Sequence, residues 1–122
     1  MILHILRRAE WDEALRRGYY RPPSLEAEGF IHCSTVAQTL DTANIFFRGQ
    51  TDLILLHIDE RTLTSPFKFE SPAAADDARP RARFPHIYGP LNLDAVVDVV
   101  EFPCDADGSF QMPAALRALP PG

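Results

Sequence analysis

Apolar and polar positions alternate along most of this chain, and the period changes from segment to segment. Ile2 to Leu6 alternates weakly, with His4 flanked on its own face by Ile2 and Leu6, and predicts a first strand. Trp11, Ala14 and Leu15 then mark the inward stripe of a helix over Ala9 to Arg17, closed by Gly18. The acids Glu10, Asp12 and Glu13 come early in it and the bases Arg16 and Arg17 come late, the order that suits the helix dipole. Asp12 with Arg16 and Glu13 with Arg17 have the spacing of stabilising side-chain pairs. Tyr19 to Glu28, with Pro22 and Pro23, is expected to be a loop.

Phe30 to Cys33 predicts a second strand. Strand alternation puts His32 and Ser34 on one face and Ile31 and Cys33 on the other. Thr35 and Gln38 form a capping box for a helix carrying Val36, Leu40, Ala43 and Phe47 inward, with Gly49 as its stop. The run Leu53 to Leu56, within Asp52 to Asp59, predicts a strand buried on both faces. Phe67 and Phe69 alternate with Lys68 and Glu70 in a further short strand. Ser71 to Arg83 lacks periodicity and is expected to be a mobile surface loop able to cover a site. Phe84 to Leu91, FPHIYGPL, frames His86 as Gly29 to Thr35, GFIHCST, frames His32, and Tyr88 shares the face of His86. Ala95 to Phe102 predicts a strand, Asp107-Gly108 a turn and Pro113 to Leu119 a short helix. Two main helices among mostly antiparallel strands, arranged as a split and bent sheet, give an α+β domain over residues 1–122.

At 122 residues the chain can bury a core without metals or disulfides. A net charge of −5 and a pI of 5.2 argue against binding long nucleic acid. Cys33 and Cys104 fall in no metal-type spacing, and a reduced pair is expected. The opening MILHILRRAEW leads into a charged helix rather than a signal peptide, and no apolar run approaches the roughly 20 residues that span a bilayer. A cytoplasmic protein with no membrane partner is the expectation.

Burying polar groups costs free energy unless they find partners, so histidines at strand ends suggest a pocket. His32 and His86 are the leading candidates, each beside other polar groups, and His4 follows; His57, within LILLHID, reads as a core histidine with a backbone partner. The absence of HxxH, HExxH and CxxC spacings argues against a metal. Cys33, facing away from His32, reads as a structural thiol, and Ser34 lacks the glycine pattern of a nucleophile elbow. Ser34 and Thr35 precede a helix, where backbone N–H groups attract phosphate or are simply capped. Glu70, closing its strand, is the best carboxylate candidate; Glu26 and Glu28 are weaker.

GFIHCST, the helix through Ala43-Asn44 and Phe46-Phe47, and FPHIYGPL together resemble a small bacterial family, domain of unknown function family 952. More distantly the chain is similar to the ADP-ribosyltransferase fold, which includes the NAD-dependent tRNA 2′-phosphotransferases. There a first-strand histidine or arginine leads into a helix, as in LHILRRAEWDEALRRGYY, which implies that His4 contacts NAD. The likeness of GFIHCST to the second strand implies that His32 lies at the nicotinamide end. Ser34 and Thr35, which precede the helix, and Tyr88, on the face of His86, are expected as further cofactor-binding residues. HIYGPLNLDAVVDVVEF resembles the later strand, where the transferases carry a glutamate and this chain has His86. A histidine cannot supply that negative charge. The resemblance therefore implies that Glu70 takes the role, that the substrate brings its own charge, or that activity is lost. The small residues that follow the first-strand histidine in that fold are also missing. The implied function is binding of NAD or an ADP-ribosyl nucleotide, with transfer or cleavage of ADP-ribose by His32, His86 and Glu70. The alternatives are a non-catalytic nucleotide-binding module and a hydrolase or RNA-end-processing enzyme that uses His32 and His86 as an acid-base pair without NAD.

Overall fold

The computed structural model describes residues 1–72 and 77–122, a small α+β arrangement of three helices and antiparallel sheets. Strand β1 (Ile2–Arg7) pairs with β4 (Leu53–Ile58), and β4 pairs with β8 (Val96–Glu101), so the sheet order is β1-β4-β8. The unbroken apolar run of β4 has the expected consequence, because every one of its residues is buried. Alternation divides these side chains between two cores. Ile2, Leu6, Ile54, Leu56 and Ile58 pack with Trp11, Tyr20, Ile31 and Ile87 in one core. Leu3, Ile5, Leu53 and Leu55 pack with Val36, Ala43, Phe102 and Leu116 in the other.

A second sheet has the order β3-β6-β5, from β3 (Ile31–His32), β6 (Phe84–Ile87) and β5 (Phe67–Glu70). It meets the first through one pair of backbone bonds, Leu3 N–H to the Ser34 carbonyl and Ser34 N–H to the Leu3 carbonyl, each 2.8 Å. Beyond that pair β1 and β3 diverge, and the split between them frames the site described below.

Helix α1 (Arg8–Arg17) buries Trp11 and Ala14, while Leu15 is 55% exposed and stands outside the predicted stripe. Glu13 pairs with both Arg16 and Arg17, so the expected Asp12–Arg16 pair is replaced by a contact one residue closer in sequence. Gly18 ends the helix with φ 85°, a left-handed conformation that glycine adopts without steric strain. The expected loop from Tyr19 to Glu28 is more structured than its composition suggests. Strand β2 (Tyr19–Tyr20) pairs with β7 (Leu91–Asn92), and Pro22 and Pro23 lead into a single helical turn, α2 (Ser24–Ala27), anchored by buried Leu25.

Helix α3 (Val36–Phe46) has the predicted capping box: Gln38 N–H donates to Thr35 Oγ1, and Thr35 N–H donates to Gln38 Oε1. The tail predicted as a short helix is a 3-10 turn at Ala114–Leu116 that plugs Leu116 into the second core. Of the expected loop from Ser71 to Arg83, residues 73–76 lie outside the described residues; Ser71, Pro72 and residues 77–83 form no strand or helix. No helix among the described residues is long and apolar enough to cross a membrane.

Candidate functional site

The β3-β6-β5 sheet has two unlike faces. Ile31, Cys33 and Ile87 point into a core, with Phe67 packed against it. The opposite face carries Phe30, His32, Glu70, His86 and Tyr88, as strand alternation from the register His32↔His86 and Glu70↔Phe84 requires. A cavity of ≈ 400 Å³ opens where this face meets the split. Leu3, His4 and Ile5 of β1, His32 to Ser34, Thr42 and Phe46 of α3, Phe47 and Phe84 wall it, with His86, Glu28, Pro72, Asp77 and Arg79 completing the lining. Its size lies in the range of small-molecule sites.

His4 lies where the main-chain ladder between the sheets stops. Its Nδ1–H donates to the His32 carbonyl at 2.5 Å, and its Nε2 accepts from the Tyr20 hydroxyl at 2.9 Å. The carbonyl can only accept, so the tautomer is determined and both ring nitrogens are occupied within the protein. Burial lowers the His4 pKa to about 4, so the ring is neutral at neutral pH. What it offers the cavity is ring carbon, not a donor.

His32 and His86 differ from His4 in keeping one nitrogen each. They face one another across β3 and β6, with ring centroids 5.8 Å apart. His32 Nε2–H donates to Glu28, and His86 Nδ1–H donates to Glu70 at 3.0 Å. His32 Nδ1 and His86 Nε2 have no hydrogen-bond partner among the described residues. Phe30 fixes both rings, stacked on His86 at 4.0 Å and edge-on to His32 at 4.9 Å. Burial pushes the His86 pKa below the usual histidine value, against the pull of Glu70. Glu70 also accepts from the Tyr88 hydroxyl, and this bond is the chief reason that its own pKa is lowered.

The predicted site residues thus divide. His4, His32, Ser34 and His86 line the cavity, whereas Glu70 reaches it only through His86, and Tyr88 only through Glu70. Thr35 is outside the lining, with its hydroxyl engaged in the helix cap, and Ala37 N–H donates to the Pro121 carbonyl at 2.8 Å. The helix N-terminus is therefore capped rather than open to phosphate. His57 is buried in β4, but its Nε2 lacks the partner expected for it among the described residues. Cys33 lines the cavity although it is also packed in the core, and burial raises its pKa.

Sequence reasoning underrated Glu28 and passed over Tyr20, Thr42, Asp77 and Arg79. Glu28 follows α2 and is turned back on His32 by Gly29, whose φ of 87° is left-handed. The spacing Glu28-Gly29-Phe30-Ile31-His32 was its only signal. Arg79 is the one basic residue among the described residues of the lining. Asp77 holds it at 2.9 and 3.0 Å, Thr42 Oγ1 accepts from it at 2.8 Å, and it lies 4.5 Å over the Phe84 ring. Its charge is therefore neutralised in place. Among the described residues no group of three or more histidine, cysteine, aspartate or glutamate side chains is arranged to hold a metal ion.

The sequence matches the family described as "Protein of unknown function (DUF952)" over residues 5–99. An X-ray crystal structure of protein CC0527 from Caulobacter crescentus is similar at 39% identity, covering 90% of this chain and 92% of that one, with a TM-score of 0.77. The solution NMR structure of CC0527 from the same organism is 40% identical over 90% of each chain, with a TM-score of 0.75. No curated protein matches the chain.

Proposed function

The chain belongs to the DUF952 family, and we propose that it binds NAD or a related ADP-ribosyl nucleotide with the nicotinamide end in the cavity, and cleaves or transfers the ADP-ribose. The observation that carries this reading is the Glu28 carboxylate beside His32 on a largely apolar cavity whose other carboxylate, Asp77, and one described cation, Arg79, are already paired with each other. Such a cavity favours a flat cationic ring over an anion. The pyridinium of NAD has that form, and an unpaired phosphate does not.

Cleavage of the ribosyl–nicotinamide bond leaves positive charge on the ribose, which a fixed carboxylate stabilises. Glu28 supplies it from the cavity mouth, in place of Glu70. His32, its own ring held edge-on by Phe30, orients the ring and ribose, Ser34 Oγ offers a hydroxyl on the wall, and neutral His4 presents its ring carbons. The split between two sheets that houses the cavity accords with the ADP-ribosyltransferase resemblance.

The test is an NMR titration of the four histidine side chains with NAD and with ADP-ribose, followed in the same tube for free nicotinamide. Shifts at His32 and His86 with His57 silent, and nicotinamide accumulating with NAD, are expected. Absence of any shift with both nucleotides would overturn the proposal.

A further inference from the structure

His32 and His86 each present one nitrogen without a partner among the described residues, yet departing nicotinamide needs no acid. The C1′–N bond breaks with its electron pair passing to the pyridinium nitrogen, which leaves neutral. A proton must move elsewhere only if the acceptor carries one. We propose that the acceptor is a hydroxyl group or water, and that His86 Nε2 is the general base that takes its proton. This rests on the NAD reading above and adds the acceptor class and the base.

The geometry supports it in three ways. Glu70, outside the lining, holds Nδ1–H of His86 at 3.0 Å, which leaves the Nε2 lone pair unengaged on a residue that lines the cavity. The ring is 3% exposed and stacked on Phe30 at 4.0 Å, so it cannot rotate that lone pair away. Its neighbour His32, across the strand pair, is tied through the opposite kind of nitrogen to Glu28, so the two rings do not compete for one carboxylate. In the step, the acceptor oxygen forms its bond to C1′ as the C1′–N bond breaks, and the acceptor proton goes to His86 Nε2. With water the product is ADP-ribose, and with an alcohol it is the corresponding O-linked riboside.

The charged and titratable groups facing His86 are Glu70 and Lys68 on β5, His32 on β3, Tyr88 on its own segment, Glu28 after α2, and the Asp77–Arg79 pair across the cavity. Burial keeps His86 deprotonated at neutral pH, as a base requires. The pH profile of nicotinamide release should therefore rise to a plateau with a midpoint below 6.5, the ordinary histidine value. A bell shape would mark an acid-base pair instead.

The experiment measures nicotinamide release from NAD against pH for the full chain, with and without methanol, beside NAD affinity by calorimetry. His86→Asn is expected to lower the rate at least about 100-fold and abolish the rising limb, with NAD affinity changed less than about threefold. Glu70→Gln keeps a hydrogen-bond partner but removes the charge, and should move the midpoint to lower pH, which a merely structural role would not do. Methanol should divert product to the methyl riboside. An unchanged profile in both variants or a bell-shaped wild-type profile would overturn the base assignment while leaving the NAD reading standing, whereas NAD binding with no release at any pH would overturn the cleavage and the base together and leave only the binding. Failure of the wild-type protein to bind NAD would overturn both.

Discussion

His4 and His57 lie in the β1-β4-β8 sheet, which separates two apolar cores, with Asp98 across the strand pair from His57, whereas His32 and His86 lie opposite one another in the β3-β6-β5 sheet, whose faces differ in polarity. In the first environment a histidine is forced neutral. His4 meets this by bonding through both nitrogens, and His57 leaves Nε2 unpaired among the described residues. In the second, a carboxylate anchors one nitrogen of each ring and the other remains available at a cavity. The same residue type is thus shut in between apolar cores in one sheet and keeps an unengaged nitrogen beside a cavity in the other. Burial alone does not separate them, since His86 is as buried as His4; the number of nitrogens already engaged does.

The sharpest way to break this contrast is His4→Ala. It leaves the Tyr20 hydroxyl and the His32 carbonyl without their partner and opens a void, and should cost about 3–4 kcal/mol of stability in chemical denaturation. Acid should act nearly as strongly. The folded-state pKa of His4 is lowered from 6.5 to about 4, so the unfolded chain binds the proton first. Its contribution is complete above pH 6.5 and is lost as pH falls toward about 4, amounting to about 3 kcal/mol. His57 and His86 are shifted in the same direction and add to the slope. His4→Gln, which can donate to the carbonyl and accept from Tyr20, should flatten the measured stability-pH curve by the share of one group.

His57→Leu should act in the opposite sense, since it removes an unpaired buried nitrogen: a gain of about 1 kcal/mol in denaturation midpoint experiments. A loss of similar size would show that His57 has a partner in solution. The smallest effect on folding belongs to Glu28→Gln. Its pair with His32 is exposed by 44% and 45% on its two sides, so stability should change by no more than about 0.5 kcal/mol, while nicotinamide release slows. Stability loss without a rate effect would move Glu28 from the site to the scaffold.

Much of the architecture was legible in local pattern. The Thr35–Gln38 box, the doubly buried run at Leu53 to Leu56, and the alternation of Ile31, His32, Cys33 and Ser34 all depend on neighbours within a few residues. The loop from Tyr19 to Glu28 was not legible as structure. Its two-residue strand is held by β7, more than seventy positions away, and no local period reports such a partner. Leu15 illustrates the converse: it has helical spacing, yet stays exposed because no other element packs over it.

Sequence by itself determined which side of each strand a histidine occupies, because the two-residue period of a strand is a covalent property of the backbone. It also determined the split between apolar and polar faces in the stretch from Phe30 to Ser34. Only the tertiary structure decided which carboxylate meets which ring, which histidine has a nitrogen left over, and that Arg79 is neutralised before any ligand arrives. Those outcomes depend on distances of about 3 Å between residues brought together from separate elements, and hydrogen bonds weaken too steeply with distance and angle for spacing along the chain to foretell them.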